Sequence, residues 1–373
     1  MKKKRFILWI VCWITIGITA CGKQENPNTD VVQGTQNISP IQMISLQDRI
    51  EQKRKENTEI LVLKIGEKEI SMDTMMFFIY SMEAKGAYNE AYYQEYYGTS
   101  FWNLEYNRDY TMRDVYKDLT MDSVIQYTIL ADQAKKHGIS LTKEEEQENK
   151  IYVEQVLNTM STEQLEYAGF TVESLTQVNA MVMLAEKYYE EMIEQIEISE
   201  EDIQAQISLE DYKEYETEYW FLSTSVYNEN YEVIQVSDKE KEAVLEQMQQ
   251  IRERLLDGEE TEVLQMEYAE LLNQTRIFLE QGIEAEEEYK KTASKLKIGE
   301  YSKPVQTEYG VYIIRMINDA CTYSYEKAME TAYEEARQSV FEEQYEALEE
   351  SYKITIQKEF WDSLEFGTIA YVE

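Results

Sequence analysis

KPVQTEYGVYIIRM, residues Lys303–Met316, decides how the rest of the chain is read. A proline-bearing extended lead-in, a Tyr-Gly turn and a β-branched, aromatic run from Val311 to Ile314 describe the last strand of a small sheet. Working back from it, "EYWFLSTSV" from Glu218 alternates like a strand and "KEAVLEQMQQIRERLLDGEE" is an amphipathic helix ending near Gly258. "VLQMEYAELL" is a shorter helix, "TRIFLEQGI" a second strand and "EEEYKKTASKLKIGE" a further helix. These pieces are expected to form one compact unit of strands and helices.

What surrounds this unit has a different texture. "EILVLKIGEKEISMDTMMFFIYSM" reads as a strand over Ile60–Ile65, a hairpin turn at "GEKE", and a helix capped by Ser71 or Asp73 that carries Met75, Met76, Ile79 and Met82. A tyrosine-dense segment runs from Tyr88 to Tyr116. The next helix places Val115, Leu119, Ser123, Ile125, Ile129 and Leu130 near one face, stops at Gly138, and hands over to "SLTKEE", a capped helix start. Beyond the sheet unit, Tyr325–Tyr352 is a long helix with a stripe of Ala328, Ala332, Ala336, Val340 and Leu348, and "KITIQKEFW" is a strand candidate. A terminal helix and strand need a surface to pack on, and the helical region before Tyr219 offers one. The first domain is therefore expected to be discontinuous, with the mixed unit inserted in it.

A chain of 373 residues with 43% hydrophobic residues is long enough for two domains and a real interior. The formal charge of -37 repels phosphate backbones and anionic headgroups, which excludes nucleic acid as a partner class. At the N-terminus, Lys2, Lys3, Lys4 and Arg5 precede a short apolar run and then Ile18, Thr19, Ala20 and Cys21. This resembles the lipobox of bacterial lipoproteins, in which the cysteine is acylated and becomes the first residue. The resemblance implies a signal peptide over 1–20, lipid on Cys21, and a location on the extracytoplasmic face of a bacterial cell membrane. Loss of the leader would leave 32 basic against 73 acidic residues. Residues 21–57, polar and holding Pro27 and Pro40, read as the lipidated end and a tether, with a short charged helix within "LQDRIEQKRKEN". Cys321 is then the one thiol left, with neither a second cysteine nor a histidine near it in sequence, and reads as structural.

Two stretches carry a further resemblance. "LADQAKKHGISLTKEEEQ" is similar to the helix junction of extracytoplasmic foldases of the SurA and PrsA type, and "LKIGEYSKPVQTEYGVYIIRM" resembles the end of a parvulin-type (PpiC-like) peptidyl-prolyl isomerase domain. Gly299, Glu300, Ser302, Pro304, Val305, Thr307, Tyr309, Gly310, Ile313 and Ile314 carry the second match. The implied fold is α+β: a mostly helical SurA/PrsA-like chaperone domain over 58–217, an inserted parvulin-like domain over 218–321 with a four-stranded antiparallel sheet flanked by helices, and a helix and strand over 322–373 returning to the first domain.

The resemblance also implies a histidine on the first and last strands of the sheet. Here Tyr312 holds the last-strand position, and placing "EYWFL" without gaps puts Trp220 at the other. His137, the only histidine of the chain, sits in the helical domain and reads as a helix-end residue. By the same resemblance Trp220, Phe278, Tyr289, Tyr309 and Tyr312 are expected to line a peptide-binding groove. Prolyl isomerisation needs amide rotation and no proton abstraction, so a hydrogen bond from Tyr312 leaves weak catalysis open, while the bulk of Trp220 and Tyr312 argues against it. The expected partners are unfolded or translocating polypeptides, with the membrane reached through Cys21. No cofactor and no metal is expected, because neither "KEEEQE" nor "EAEEEY" has the spacing of a calcium loop. The functional reading is a membrane-anchored folding factor whose parvulin-like domain is weak or inactive. An active isomerase and a scaffold for one envelope partner are the alternatives.

Overall fold

The computed structural model describes residues 40–227 and 233–369. Cys21, the lipobox and the tether up to residue 39 lie outside them. The chain divides into two compact units: one runs to Ile196 and resumes at Ser339, and the other is Glu197–Gln338. Both mix helices with small antiparallel sheets, an α+β protein.

The first unit begins with α1 (Pro40–Glu59), β1 (Leu61–Ile65), β2 (Lys68–Ser71) and α2 (Met72–Tyr97). The stretch read as tether down to Asn57 is thus helix from Pro40 onward, and its second half is anchored. Asn57 is buried and its side-chain amide donates to the Ala168 carbonyl at 2.9 Å, while Arg54 pairs with Glu173 at 3.1 Å. The short charged helix expected within "LQDRIEQKRKEN" is part of a longer one, held by hydrogen bonds and ion pairs and not by an apolar stripe. A two-residue turn at Gly66, where φ is +57°, joins β1 to β2. Val62, Leu63 and Ile65 are buried, and Met75 and Met76 join them from α2.

The tyrosine-dense segment holds a small hairpin, β3 (Glu105–Asn107) and β4 (Tyr110–Thr111), and then come α3 (Met112–Lys136), α4 (Lys143–Thr159), α5 (Thr162–Ala168) and α6 (Val172–Glu194). Each of these four helices opens on a reciprocal capping box, from Thr111, Thr142, Ser161 and Thr171 in turn. Each cap contributes about 1 kcal/mol by satisfying amides the helix cannot satisfy itself.

The second unit contains α7 (Glu200–Gln204), β5 (Glu214–Ser223), the hairpin of β6 (Ser225–Tyr227) and β7 (Val233–Gln235), α8 (Asp238–Leu256), α9 (Thr261–Glu267), β8 (Leu272–Leu279), α10 (Glu287–Ala293), β9 (Val305–Gln306) and β10 (Gly310–Cys321). Its main sheet has four strands in the order β8-β5-β10-β9, all antiparallel. One face is covered by Met248, Ile251 and Leu255 of α8 with Leu264 of α9, packed on Trp220, Leu222, Val311 and Ile313. The other face carries α10 and a cluster of aromatic side chains.

Helix α11 (Tyr323–Glu350) starts in the second unit and ends in the first, followed by β11 (Ile354–Ile356) and α12 (Lys358–Ser363). Strand β11 pairs antiparallel with β1, Leu63 opposite Ile356 and Ile65 opposite Ile354, completing a sheet of order β11-β1-β2. The alanine stripe expected to seat α11 is only half buried; Phe341 and Tyr345 are the buried positions, and Phe341 packs on Tyr189 of α6 at 4.8 Å. The tail beyond α12 is held by a buried carboxylate: Glu83 of α2 accepts the backbone N–H groups of Gly367 and Ile369, both at 2.6 Å.

One group in α6 gives the first unit a pH dependence. Burial, with Glu190 a turn away, pushes the Glu186 carboxyl up to about 7 from an ordinary 4.5. A carboxyl raised in the folded state keeps its proton there while the unfolded chain ionises, so stability is lost as pH climbs from 4.5 to about 7 and is level above that window. Glu186→Gln is expected to remove this slope and to gain about 1–2 kcal/mol at pH 8, discounted for partial solvent access. Thermal melts of both proteins from pH 4 to 8 check it, and parallel curves would refute the assignment.

Candidate functional site: the tyrosine-filled face of the inserted sheet

The register of β5 against β10 sets the site. Phe221 lies opposite Tyr312 and Trp220 opposite Ile313. Side chains alternate along a strand, so Tyr215, Thr217, Tyr219 and Phe221 share a face with Tyr312, Ile314 and Met316, and Trp220 points to the other side. Trp220 is buried over α8, its indole N–H donating to Thr261 Oγ1 at 3.1 Å and its ring lying on Tyr301 at 5.6 Å. The gapless placement of Trp220 beside Tyr312 is therefore corrected: the first-strand side chains next to Tyr312 are Phe221, with ring centroids 4.5 Å apart, and Tyr219, at 5.4 Å.

Around Tyr312 the face is closed by its own side chains. Tyr289 of α10 is fully buried, meets Tyr312 edge-on at 5.1 Å and Phe278 at 5.7 Å, and its hydroxyl is 2.8 Å from Thr217 Oγ1. Thr217 donates in turn to the Arg276 carbonyl at 3.1 Å. The Arg276 guanidinium sits 4.7 Å from the Tyr219 ring, 4.8 Å from Tyr289 and 5.6 Å from Tyr312, an arrangement in which a cation meets the electron-rich faces of three rings. Its charge is balanced by Glu286, whose other oxygen accepts the Tyr312 hydroxyl at 3.0 Å.

This geometry limits the chemistry. Burial first, then the Glu286 carboxylate, pushes the Tyr312 phenol up to about 12, so it stays a neutral donor throughout the physiological range. Tyr289 is raised as well, by burial. His137 caps α3 in the first unit, its Nδ1 2.9 Å from the Gln133 carbonyl and its ring 5.0 Å from Tyr188, and takes no part. Of the residues expected in a peptide groove, Phe278, Tyr289 and Tyr312 come together but are buried, Trp220 is on the opposite face, and Tyr309 is exposed at the turn before β10. Arg276, Glu286, Tyr219 and Thr217 belong to the cluster and were not foreseen. Alternation of Tyr215, Thr217, Tyr219 and Phe221 was the available signal for two of them. Among the described residues no three His, Cys, Asp or Glu side chains are grouped to hold a metal ion.

The first unit contributes a second candidate surface. Toward the C-terminal end of α2, Tyr88, Tyr92, Tyr96 and Tyr97 are exposed, as is Tyr106 of β3, and Tyr92–Tyr96 and Tyr93–Tyr97 ring pairs lie 4.9 and 5.3 Å apart. Phe101 and Trp102 beneath them are buried. The tyrosine-dense segment thus splits into a packed floor and a solvent-facing row of rigid, amphipathic rings.

Residues 228–318 match the family model described as Rotamase, PPIC-type PPIase domain. Strand β5, where a first-strand histidine was expected, precedes the matched residues. The foldase protein PrsA of Caldanaerobacter subterraneus subsp. tengcongensis is 27% identical over 233 residues, covering 59% of this chain and 62% of that protein. The chain thus matches less than two thirds of that relative's length. Among solved structures, a SurA-like chaperone of Campylobacter jejuni aligns with 80% of this chain and 99% of its own at 11% identity and a TM-score of 0.30. PrsA of Bacillus subtilis covers 68% and 93% at 16% identity and a TM-score of 0.21. The family match and the PrsA relative bear out the resemblance to a SurA/PrsA-like foldase with a parvulin-type domain.

Proposed function

We propose that this SurA/PrsA-like chain is a lipid-anchored extracytoplasmic folding factor that holds unfolded or translocating polypeptides, and that its parvulin-type domain does not turn prolyl bonds at an enzyme's rate. One observation carries the reading: the face that would admit a prolyl peptide is packed as core, with Tyr219, Tyr289 and Tyr312 around Arg276 and Glu286 at bonding distance. Proline needs a vacant apolar pocket and a twisted amide needs a donor free to meet it, whereas the Tyr312 hydroxyl is committed to Glu286. The exposed tyrosine row of the first unit supports holding, since such rings contact varied sequences at low entropic cost. Attachment at Cys21 rests on the lipobox sequence, and among the described residues no helix is long and apolar enough to cross a membrane.

Protease-coupled refolding of a proline-limited substrate tests the catalytic half. At micromolar protein the slow phase should stay within about twofold of the unassisted rate, which is set by the amide barrier. An acceleration of about tenfold or more that disappears in Tyr312→Ala would restore the isomerase reading. Suppression of aggregation for several unrelated clients is expected from a holding factor, while binding of one envelope partner alone would favour a scaffold.

A further inference from the structure

We infer that the outer edge of β8, Leu272–Leu279, accepts an extended cationic segment of another polypeptide as a fifth strand of the inserted sheet. Strand β8 ends the sheet order, and among the described residues its strand partner is β5 alone. One side of its backbone therefore presents a row of N–H and C=O groups that an added strand would satisfy. The opposite edge, β9, has only two residues and offers no comparable template.

Natural sheets blunt such an edge with proline, lysine or a bulge. Strand β8, "LNQTRIFL", has neither residue type, and its eight pairs with β5 run from Glu214 opposite Leu279 to Phe221 opposite Leu272 without a register shift. The edge is regular and long enough to take a strand of ordinary length. It also carries anchors: Leu272 is 49% exposed and Ile277 51%, on opposite faces of the strand, and Ile283 just beyond is 98% exposed. An incoming strand would cover both flanking side chains while pairing its backbone, the mode of recognition known as strand addition.

Charge selects the occupant. Residues 270–288 hold Glu270, Glu280, Glu284, Glu286, Glu287 and Glu288. Glu286 pairs with Arg276 at 3.2 Å, Glu280 with Lys213 at 3.1 Å and Glu287 with Lys290 at 2.6 Å, so six carboxylates meet three cations and the region stays net acidic. A second copy of this chain would bring the same carboxylates to the same edge, within a formal charge of -37 on each partner. A lysine- or arginine-bearing segment is attracted where a second copy is repelled. Arg276 and Phe278 of β8 belong to the tyrosine cluster, but the template is the strand's outer backbone edge, so the inference does not depend on the isomerase question.

Full-length protein and a fluorescein-labelled peptide of alternating lysine and valine, about ten residues long, test the inference. Saturable binding should appear in anisotropy and weaken by about tenfold or more when alternate residues are N-methylated, because each methyl removes a main-chain donor. Hydrogen exchange should slow at Leu272–Leu279. Ile277→Lys, at an exposed position, should weaken the lysine peptide several-fold and spare an otherwise identical glutamate peptide the same loss. Absence of binding, indifference to N-methylation, protection at Tyr88–Tyr106 in place of β8, or self-association through β8 without peptide would each overturn it. Failure of the holding reading would show as unchanged client aggregation, a result separable from protection at β8.

Discussion

Trimming Trp102 to alanine should cost the first unit about 3–5 kcal/mol, the range for emptying a large buried aromatic site. The indole is almost wholly buried and meets Phe101 at 5.3 Å, Tyr116 at 5.1 Å and Phe366 at 5.7 Å, three contacts from three separate segments. Two glycines make room for it. A Cβ at Gly86 of α2 would lie 2.3 Å from the indole Cη2, and one at Gly367, where φ is +90°, would lie 2.7 Å from Cδ1. This yields a sign test. Alanine is worth about 1 kcal/mol over glycine in a helix interior, yet Gly86→Ala should destabilise the wild-type protein through the clash. In the Trp102→Ala background the same change should stabilise, since the clash is gone and the propensity gain remains. Urea denaturation followed by circular dichroism measures both, and a neutral or stabilising Gly86→Ala in the wild type would show that the indole is not fixed where it lies.

A comparable loss, about 3–4 kcal/mol, is expected in the second unit for Tyr289→Ala. Tyr289→Phe should cost only about 1 kcal/mol. The phenyl ring keeps its contacts with Tyr219, Phe278 and Tyr312, and Thr217, deprived of the phenol, still donates to the Arg276 carbonyl. This pair of variants separates core from pocket. Side chains lining an open groove can be truncated with stability changes within about 0.5 kcal/mol and a change in ligand affinity instead. If Tyr289→Ala leaves the second unit's unfolding midpoint in place and alters peptide binding, the tyrosine face is a groove and the reading of a closed site falls.

Much of the architecture was legible because it depends on local pattern. The Ile60–Ile65 strand, the helix starts at Ser71 or Asp73 and within "SLTKEE", where Ser71 and Thr142 prove to hold the cap positions, and the amphipathic helix ending near Gly258 all follow from residues a few positions apart. Even the return of the chain end could be argued locally, since a short strand and one helix cannot bury themselves. Other features had no local signature. The helix expected over "VLQMEYAELL" reaches Leu272, whereas α9 ends at Glu267 and β8 begins at Leu272, because a short apolar run fits either period until a neighbour strand claims it. Phe341 and Tyr345, not the alanines, seat α11, since Tyr189 supplies a partner from far away in sequence.

The sequence by itself determined that the chain is acidic, that it mixes helices with a small antiparallel sheet resembling a parvulin-type domain, and that its lone histidine lies outside that sheet. Tertiary structure alone decided what occupies the vacated site. Alternation says that Trp220 and Phe221 face opposite ways, but only the pairing of Phe221 with Tyr312 says which way each faces. Arg276 and Glu286 come from either side of the turn after β8 and meet Tyr312 from β10, and nothing in their spacing announces it. Strand register and the packing of α10 are long-range properties, and they turned a face that could have opened to a proline into interior.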